Sequence, residues 1–287
     1  MTRPTVATRA RGQKAFLLID MKLKTNLEKT APPLGEYKLP SGGLFYKLGG
    51  GKVFPPTIKV KPYGFVTEAI LVTTLTSSEK MVGIIKDVAE LPEGFDPFDM
   101  FVADQHMILA IARSLTYGER YSFSSTCPSC GFEEKHSLKV PDEIPVKIWT
   151  DDTEQAKIPG HVHVKDFTFR LPECKDTVEL KFPTIKDNER ANKYGEEKRK
   201  IITSYDPSYI RRLAIHVKSV NGEEVGPHDL DQLENEFILK LRGPDMVDLK
   251  KKIDDNSCGI IQNWDIQCNK CSEAYKTFIP ILSSFFR

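Results

Sequence analysis

Two Cys-x-x-Cys pairs, Cys127-Pro128-Ser129-Cys130 and Cys268-Asn269-Lys270-Cys271, constrain this chain more than any other feature. The two-residue spacing lets both sulfurs of a tight turn face one cation. Two such turns complete a tetrahedral four-thiolate shell of the structural-zinc type. We therefore expect Cys127, Cys130, Cys268 and Cys271 to hold one Zn²⁺ between them. Four thiolates also hold a mononuclear iron or an iron–sulfur cluster, and two independent dithiols are the remaining alternative. A thioredoxin-like redox pair wants its cysteines at a helix N-terminus, where the thiol pKa falls. Both pairs here lie between strand-like segments instead. Ordinary zinc ribbons separate their knuckles by far fewer residues, so a shared site requires a whole module inserted between the two.

The patterns on either side fit that arrangement. Tyr121, Phe123 and Ser125 alternate with polar residues before the first pair, and alternation resumes from Glu133 to Val140. Gly131 suits the positive φ that such a knuckle needs. Gly259 to Ile261 and Trp264 to Ile266 precede the second pair, and Tyr275, Phe278 and Ile279 follow it. Upstream, Phe54 to Val60 reads as a strand between prolines, and 67–89 turns helical, with a cap at Ser77-Ser78-Glu79. The clearest helix is expected to be capped by Asp96, to carry Pro97 in its first turn and to stop at Gly118. It sets His106 and Arg113 near one side. The centre of the chain offers strands at 161–164, 167–170 and 178–182. A polar helix is expected near Lys186 to Lys200, a short buried stretch over 209–217, and helices over 228–239 and 244–253.

The expected fold class is α+β: mixed helices and short antiparallel strands, with a zinc-ribbon-like module built from two distant knuckles. Residues 1–36 form a basic N-terminal arm and 37–140 an α+β region bearing the first knuckle. Residues 141–256 are an inserted mixed module, and 257–287 are the C-terminal strands, second knuckle and apolar tail. The arm is rich in Arg and Lys and reads as solvated, or as a segment that orders on a neighbouring subunit.

Composition narrows the functional classes. A formal charge of +1 on 287 residues argues against a nucleic-acid or anionic-membrane partner, which a clear basic excess would favour. Ala15 to Ile19 is apolar and follows basic residues, but Asp20 and Lys22 interrupt it and no small-residue cleavage pattern follows, so the chain reads as cytoplasmic. Cys174 and Cys258 lie outside the paired motifs and are expected in or near a core; Cys258 is the one plausible substitute ligand. His161 and His163 share a strand face and could hold a metal together, though surface strand residues are the commoner explanation. The chain contains no Gly-x-Ser-x-Gly elbow, no Gly-x-x-x-x-Gly-Lys loop and no His-Glu-x-x-His helix.

The order of motifs is Leu39-Pro40-Ser41-Gly42-Gly43, the Asp104 helix ending in Tyr117-Gly118, Cys127 to Gly131, Arg211-Arg212-Leu213-Ala214, the Cys268/Cys271 pair and a terminal Phe285-Phe286. It resembles the baseplate hub, or hub assembly, proteins of contractile-tailed bacteriophages of the T-even type, over most of residues 37–287. Ser272 replaces the glycine usual after the last cysteine, and the N-terminal arm lies outside the resemblance. The resemblance implies a non-enzymatic virion or assembly component with no small-molecule substrate. Its partners would be other hub proteins, the central spike and the tape-measure protein. It would be found in the host cytoplasm during assembly or in the tail baseplate. The four cysteines would be structural metal ligands, and Phe285 and Phe286 would pack on a neighbour. The competing readings are a zinc-ribbon nucleic-acid-binding or regulatory module and a redox or metalloenzyme.

Overall fold

Short strands and locally capped helices alternate along residues 34–280, the part of the chain described by the structure, a computed structural model. Strand β1 (Gly35–Lys38) pairs antiparallel with β2 (Thr57–Val60). The loop between them turns through Gly43 at φ +73°. A Cβ there would sit 2.7 and 2.8 Å from the carbonyl oxygens of Pro55 and Phe54, so only glycine fits. Helices α1 (Phe65–Leu71) and α2 (Ser77–Val88) share the segment expected to be helical. Thr76, rather than a serine, caps α2: its hydroxyl accepts from the Glu79 N–H, and the Glu79 carboxylate accepts from the Thr76 N–H in return.

Helix α3 (Val102–Tyr117) departs from expectation at its start. Asp96 caps only one 3₁₀ turn, Pro97–Asp99. The backbone is then drawn straight through Met100 and Phe101, because Phe101 bridges to Thr184 and the Met100 carbonyl accepts from the Ile185 N–H at 2.9 Å. A contact with a residue more than eighty positions away overrides the local cap. The helix stops at Gly118, φ +96°, as expected. Met107 to Ala112 are all buried, so α3 packs on every side and joins two cores. Arg113 lies over the Tyr121 ring. Apolar surroundings push His106 down to about 4.

Strands β3 (Arg120–Thr126) and β4 (Glu133–Lys139) form a hairpin. Next, β5 (Val146–Thr150) pairs parallel with β6 (His161–His163), an exception to the antiparallel expectation. Strands β7 (Thr168–Arg170) and β8 (Thr177–Leu180) lead to α4 (Ile185–Lys198), which Thr184 and Asp187 cap reciprocally. Helix α5 (Pro207–Ala214) follows, with Asp206 as its cap. Strands β9 (Val217–Val220) and β10 (Glu223–Glu224) complete an antiparallel sheet of order β10-β9-β8-β7. Helices α6 (Leu230–Glu236) and α7 (Gly243–Asn256) precede β11 (Gly259–Ile260), which pairs with β5. The last hairpin is β12 (Asn263–Gln267) with β13 (Ala274–Phe278). Seven α-helices and several small sheets among the described residues make this an α+β fold.

Three apolar clusters hold these elements. One joins Leu39, Phe54, Ile84 and Ile108 around α2 and α3. A second gathers Trp149, Phe167, Leu180 and Leu249 together with Phe101, the residue just before α3. A third, with Tyr121, Phe123, Leu138 and Ile279, lies beneath the knuckle hairpins. Arg211 is buried beside Glu234 at 2.5 Å and over the Tyr194 ring at 3.5 Å, so this buried motif charge is paired.

Candidate metal centre

Each Cys-x-x-Cys segment is the turn of a hairpin, Cys127 to Phe132 between β3 and β4 and Cys268 to Glu273 between β12 and β13. The two turns carry the same hydrogen bonds. The Cys127 N–H donates to the Phe132 carbonyl and the Gly131 N–H to the Cys127 carbonyl, each at 2.9 Å. The Cys268 N–H donates to the Glu273 carbonyl and the Ser272 N–H to the Cys268 carbonyl, again at 2.9 Å. A residue in the left-handed region closes both: Gly131 at φ +68° and Ser272 at φ +61°. Glycine takes that conformation freely, whereas a serine is strained in it. Replacing Ser272 by Gly is accordingly expected to stabilise the protein by about 1 kcal/mol, read as a raised denaturation midpoint with unchanged metal content. An unchanged or lower midpoint would contradict a strained second knuckle.

The hairpins meet at their tips. The Cys127 and Cys271 sulfurs are 3.7 Å apart, as are those of Cys130 and Cys268, and all four lie within 4.8 Å of one another. A tetrahedron with metal–sulfur bonds of about 2.3 Å has an edge of about 3.8 Å, so the four sulfurs are close enough to bind one metal ion. Cys127 and Cys268 are buried, Cys130 is half-buried and Cys271 is exposed. The ionisation of the group is uneven. Backbone N–H groups, first that of Cys271, push the Cys268 thiol down to about 7. Cys271 goes the other way, up to about 12: the Glu273 N–H lowers it, but the nearby thiols of Cys130, Cys268 and Cys127, together with burial, outweigh that bond. Thiols packed this tightly cannot all ionise without a cation among them, which is the condition a metal satisfies.

Other contacts fix the hairpins independently of the sulfurs. The Ser125 hydroxyl lies 2.7 Å from the His136 Nε2 and 2.7 Å from the Tyr275 hydroxyl, joining β3, β4 and β13. The Asn269 side chain donates to Glu134, and Trp264 packs on Phe123 and His136. Below them, the Tyr121 hydroxyl donates to the Pro280 carbonyl.

The remaining candidates are distributed differently. Cys174 is exposed rather than in a core, because it lies in the β7–β8 turn, where its N–H donates to Asp245. Cys258 is half-buried and outside the four-sulfur group; burial and the neighbouring Asp104 raise its thiol pKa, which disfavours the thiolate a metal needs. His163 is buried rather than on the surface. Its Nδ1 accepts from the Lys165 N–H at 3.0 Å, so the neutral ring carries its proton on Nε2 and offers no lone pair there. Among the described residues, the four cysteines are the one cluster of three or more metal-ligating groups. Phe285 and Phe286 lie outside the described residues, as do residues 1–33 of the basic arm.

Sequence reading missed a buried polar centre that braces the same helix. Asp104, wholly buried on α3, accepts from the Ser41 N–H at 2.9 Å, the Ser41 hydroxyl at 2.5 Å and the Tyr46 hydroxyl at 2.6 Å. Tyr46 in turn accepts from the Phe101 N–H at 2.9 Å. Burial raises the Asp104 carboxyl pKa, and the bonds from Ser41 and Tyr46 oppose that rise. The Leu39 to Gly43 motif and the Asp104 helix, separate landmarks along the chain, are thus one hydrogen-bonded unit. No local pattern singled Asp104 out, because Gln105 and His106 follow it directly and its partners lie about sixty residues upstream.

Searches of curated proteins and of solved structures give no match. One family model does match, that of the T4 bacteriophage base plate protein, over residues 35–287. That span includes the Ser41–Asp104 unit and both knuckles, and the chain belongs to the T4 bacteriophage base plate protein family.

Proposed function

We propose that this protein is a non-enzymatic structural or assembly component of the hub of a contractile-tail baseplate. Its two knuckle hairpins would be clasped by one Zn²⁺ on Cys127, Cys130, Cys268 and Cys271. Membership of the base plate family supports the structural role, and it is the observation that carries the reading. The sulfur spacing supports a single ion: an iron–sulfur cluster places several atoms between its thiolates and would spread them further than 3.7 Å. Bound there, a closed-shell cation supplies a cross-link without redox chemistry, and four protein ligands leave no open coordination position.

The partners on this reading are the other hub proteins, the central spike and the tape-measure protein, met during assembly in the host cytoplasm or in the finished tail. Tagged protein recovered with tails, together with about one zinc per chain by elemental analysis, is the expected result. Absence from both tails and tail-assembly intermediates would sink the hub reading, and an iron absorption spectrum would sink the zinc assignment. The apolar terminus Phe285-Phe286 is proposed to dock on one of these partners. Deleting residues 284–287 is then expected to lower tail incorporation at least about tenfold while shifting the melting temperature by less than about 2 °C. Equal incorporation would end that idea.

The nucleic-acid reading predicts salt-sensitive DNA or RNA binding. The near-neutral charge of the chain weighs against it.

A further inference from the structure

A cleft of about 900 Å³ opens between the loop after β1 and the outer face of β7 and β8. Trp149, Phe167, Phe182 and Phe101 form its apolar part, and Phe45 stands at its mouth. Phe45 is unusual twice over. It is 57% exposed, and it holds φ +67°, a conformation that L-residues with bulky side chains rarely adopt. Its ring leans on Trp149 at 5.9 Å and on Phe167 at 5.8 Å. The loop that presents it is bolted to Asp104 through Ser41. A strained, exposed aromatic on a rigid base is the kind of feature that functional loops retain.

The charges around the cleft are unequal in their commitments. Glu179 is paired with Lys218 at 2.7 Å, Asp99 with Lys186 at 3.8 Å, and Asp187 is occupied as the cap of α4. Lys47 and Lys165 have no acidic partner among the described residues, and Lys181 reaches only the Val225 carbonyl at 3.4 Å. Among the described residues, the rim therefore presents three lysines without an ion-pair partner over an aromatic floor, against one carboxylate, Asp187, that is hydrogen-bonded but not ion-paired. We propose that this cleft docks an acidic segment of another baseplate protein, with an aromatic or large aliphatic side chain of that segment seated beside Phe45. The proposal rests on the baseplate reading for the identity of the partner. The chain's own N-terminal arm fits poorly, because Arg3, Arg9, Arg11 and Lys14 would meet lysines there.

The test uses the full-length, metal-replete protein and fluorescent peptides tiling the other baseplate proteins encoded beside it. Peptides covering residues 1–33 and 281–287 of this chain are included. Acidic, aromatic-bearing tiles from a partner are expected to bind, and to weaken as salt rises. The exposed double variant Lys47→Glu/Lys165→Glu should weaken them about tenfold or more with its unfolding midpoint unchanged. Phe45→Ala should weaken them comparably. The proposal is overturned if no partner tile binds, if basic and acidic tiles bind alike, if the chain's own segments bind best, or if the lysine variant binds undiminished. Because the hub reading is tested separately by recovery with tails, a protein that enters tails yet fails here loses only this cleft.

Discussion

Removing the metal is expected to cost this protein more than about 4 kcal/mol of stability, the range associated with a lost metal or a broken buried network. The ion would join two hairpins whose cysteines lie 138 and 144 residues apart in the chain, so its binding energy becomes folding energy for a contact between distant segments. The loss should also be local first. The clusters around Ile108 and around Trp149 contain none of the four cysteines, whereas Tyr121, Phe123 and Ile279 lie beneath the hairpins. Hydrogen exchange on chelated protein should therefore show protection lost in β3, β4, β12 and β13 before α2, α3 or α7. Cys130→Ser and Cys271→Ser, one from each knuckle, should lower metal content and stability by similar amounts, and the double variant should add little, because either change alone opens the shared shell. Independent, additive losses would mean two separate dithiols.

Replacing Asp104 by Ala is expected to cost about 3–5 kcal/mol, since it strands three buried donors at once: the Ser41 N–H, the Ser41 hydroxyl and the Tyr46 hydroxyl. Asn at the same place keeps an acceptor oxygen and should cost about 1–2 kcal/mol. The pH dependence has a definite sign. Burial raises the folded pKa of Asp104, so its contribution is fully present below the unfolded carboxylate value of about 3.9 and is lost as pH rises through the folded value. The advantage of the wild-type chain over Asp104→Asn should accordingly shrink as pH rises from about 4. Denaturant unfolding of the three proteins across that window measures both effects. A harmless Asp104→Ala would mean that the Ser41 loop is held by packing alone.

Much of the chain could be read locally, and the failures share a cause. Gly118 ends α3 because only a residue tolerant of positive φ can close that turn, and the knuckle spacing is set by covalent reach. Asp96 looked like the cap of a long helix and caps only one turn, since the backbone at Met100 and Phe101 is claimed by Thr184 and Ile185. Cys174, expected inside, is outside because Asp245 fixes its turn at the surface. Ser272 takes a conformation suited to glycine because the two knuckles close with the same bonds.

What the sequence determined alone is the set of possible ligands, the helix stops and the strand alternation around each knuckle, all consequences of residue chemistry over a few positions. Only the tertiary structure decided that the two cysteine pairs meet, and that Ser41, Tyr46 and Asp104 form one buried unit with an aromatic cleft beside it. Those partners are joined by burial and long-range hydrogen bonds, whose geometry exists only once distant segments have packed.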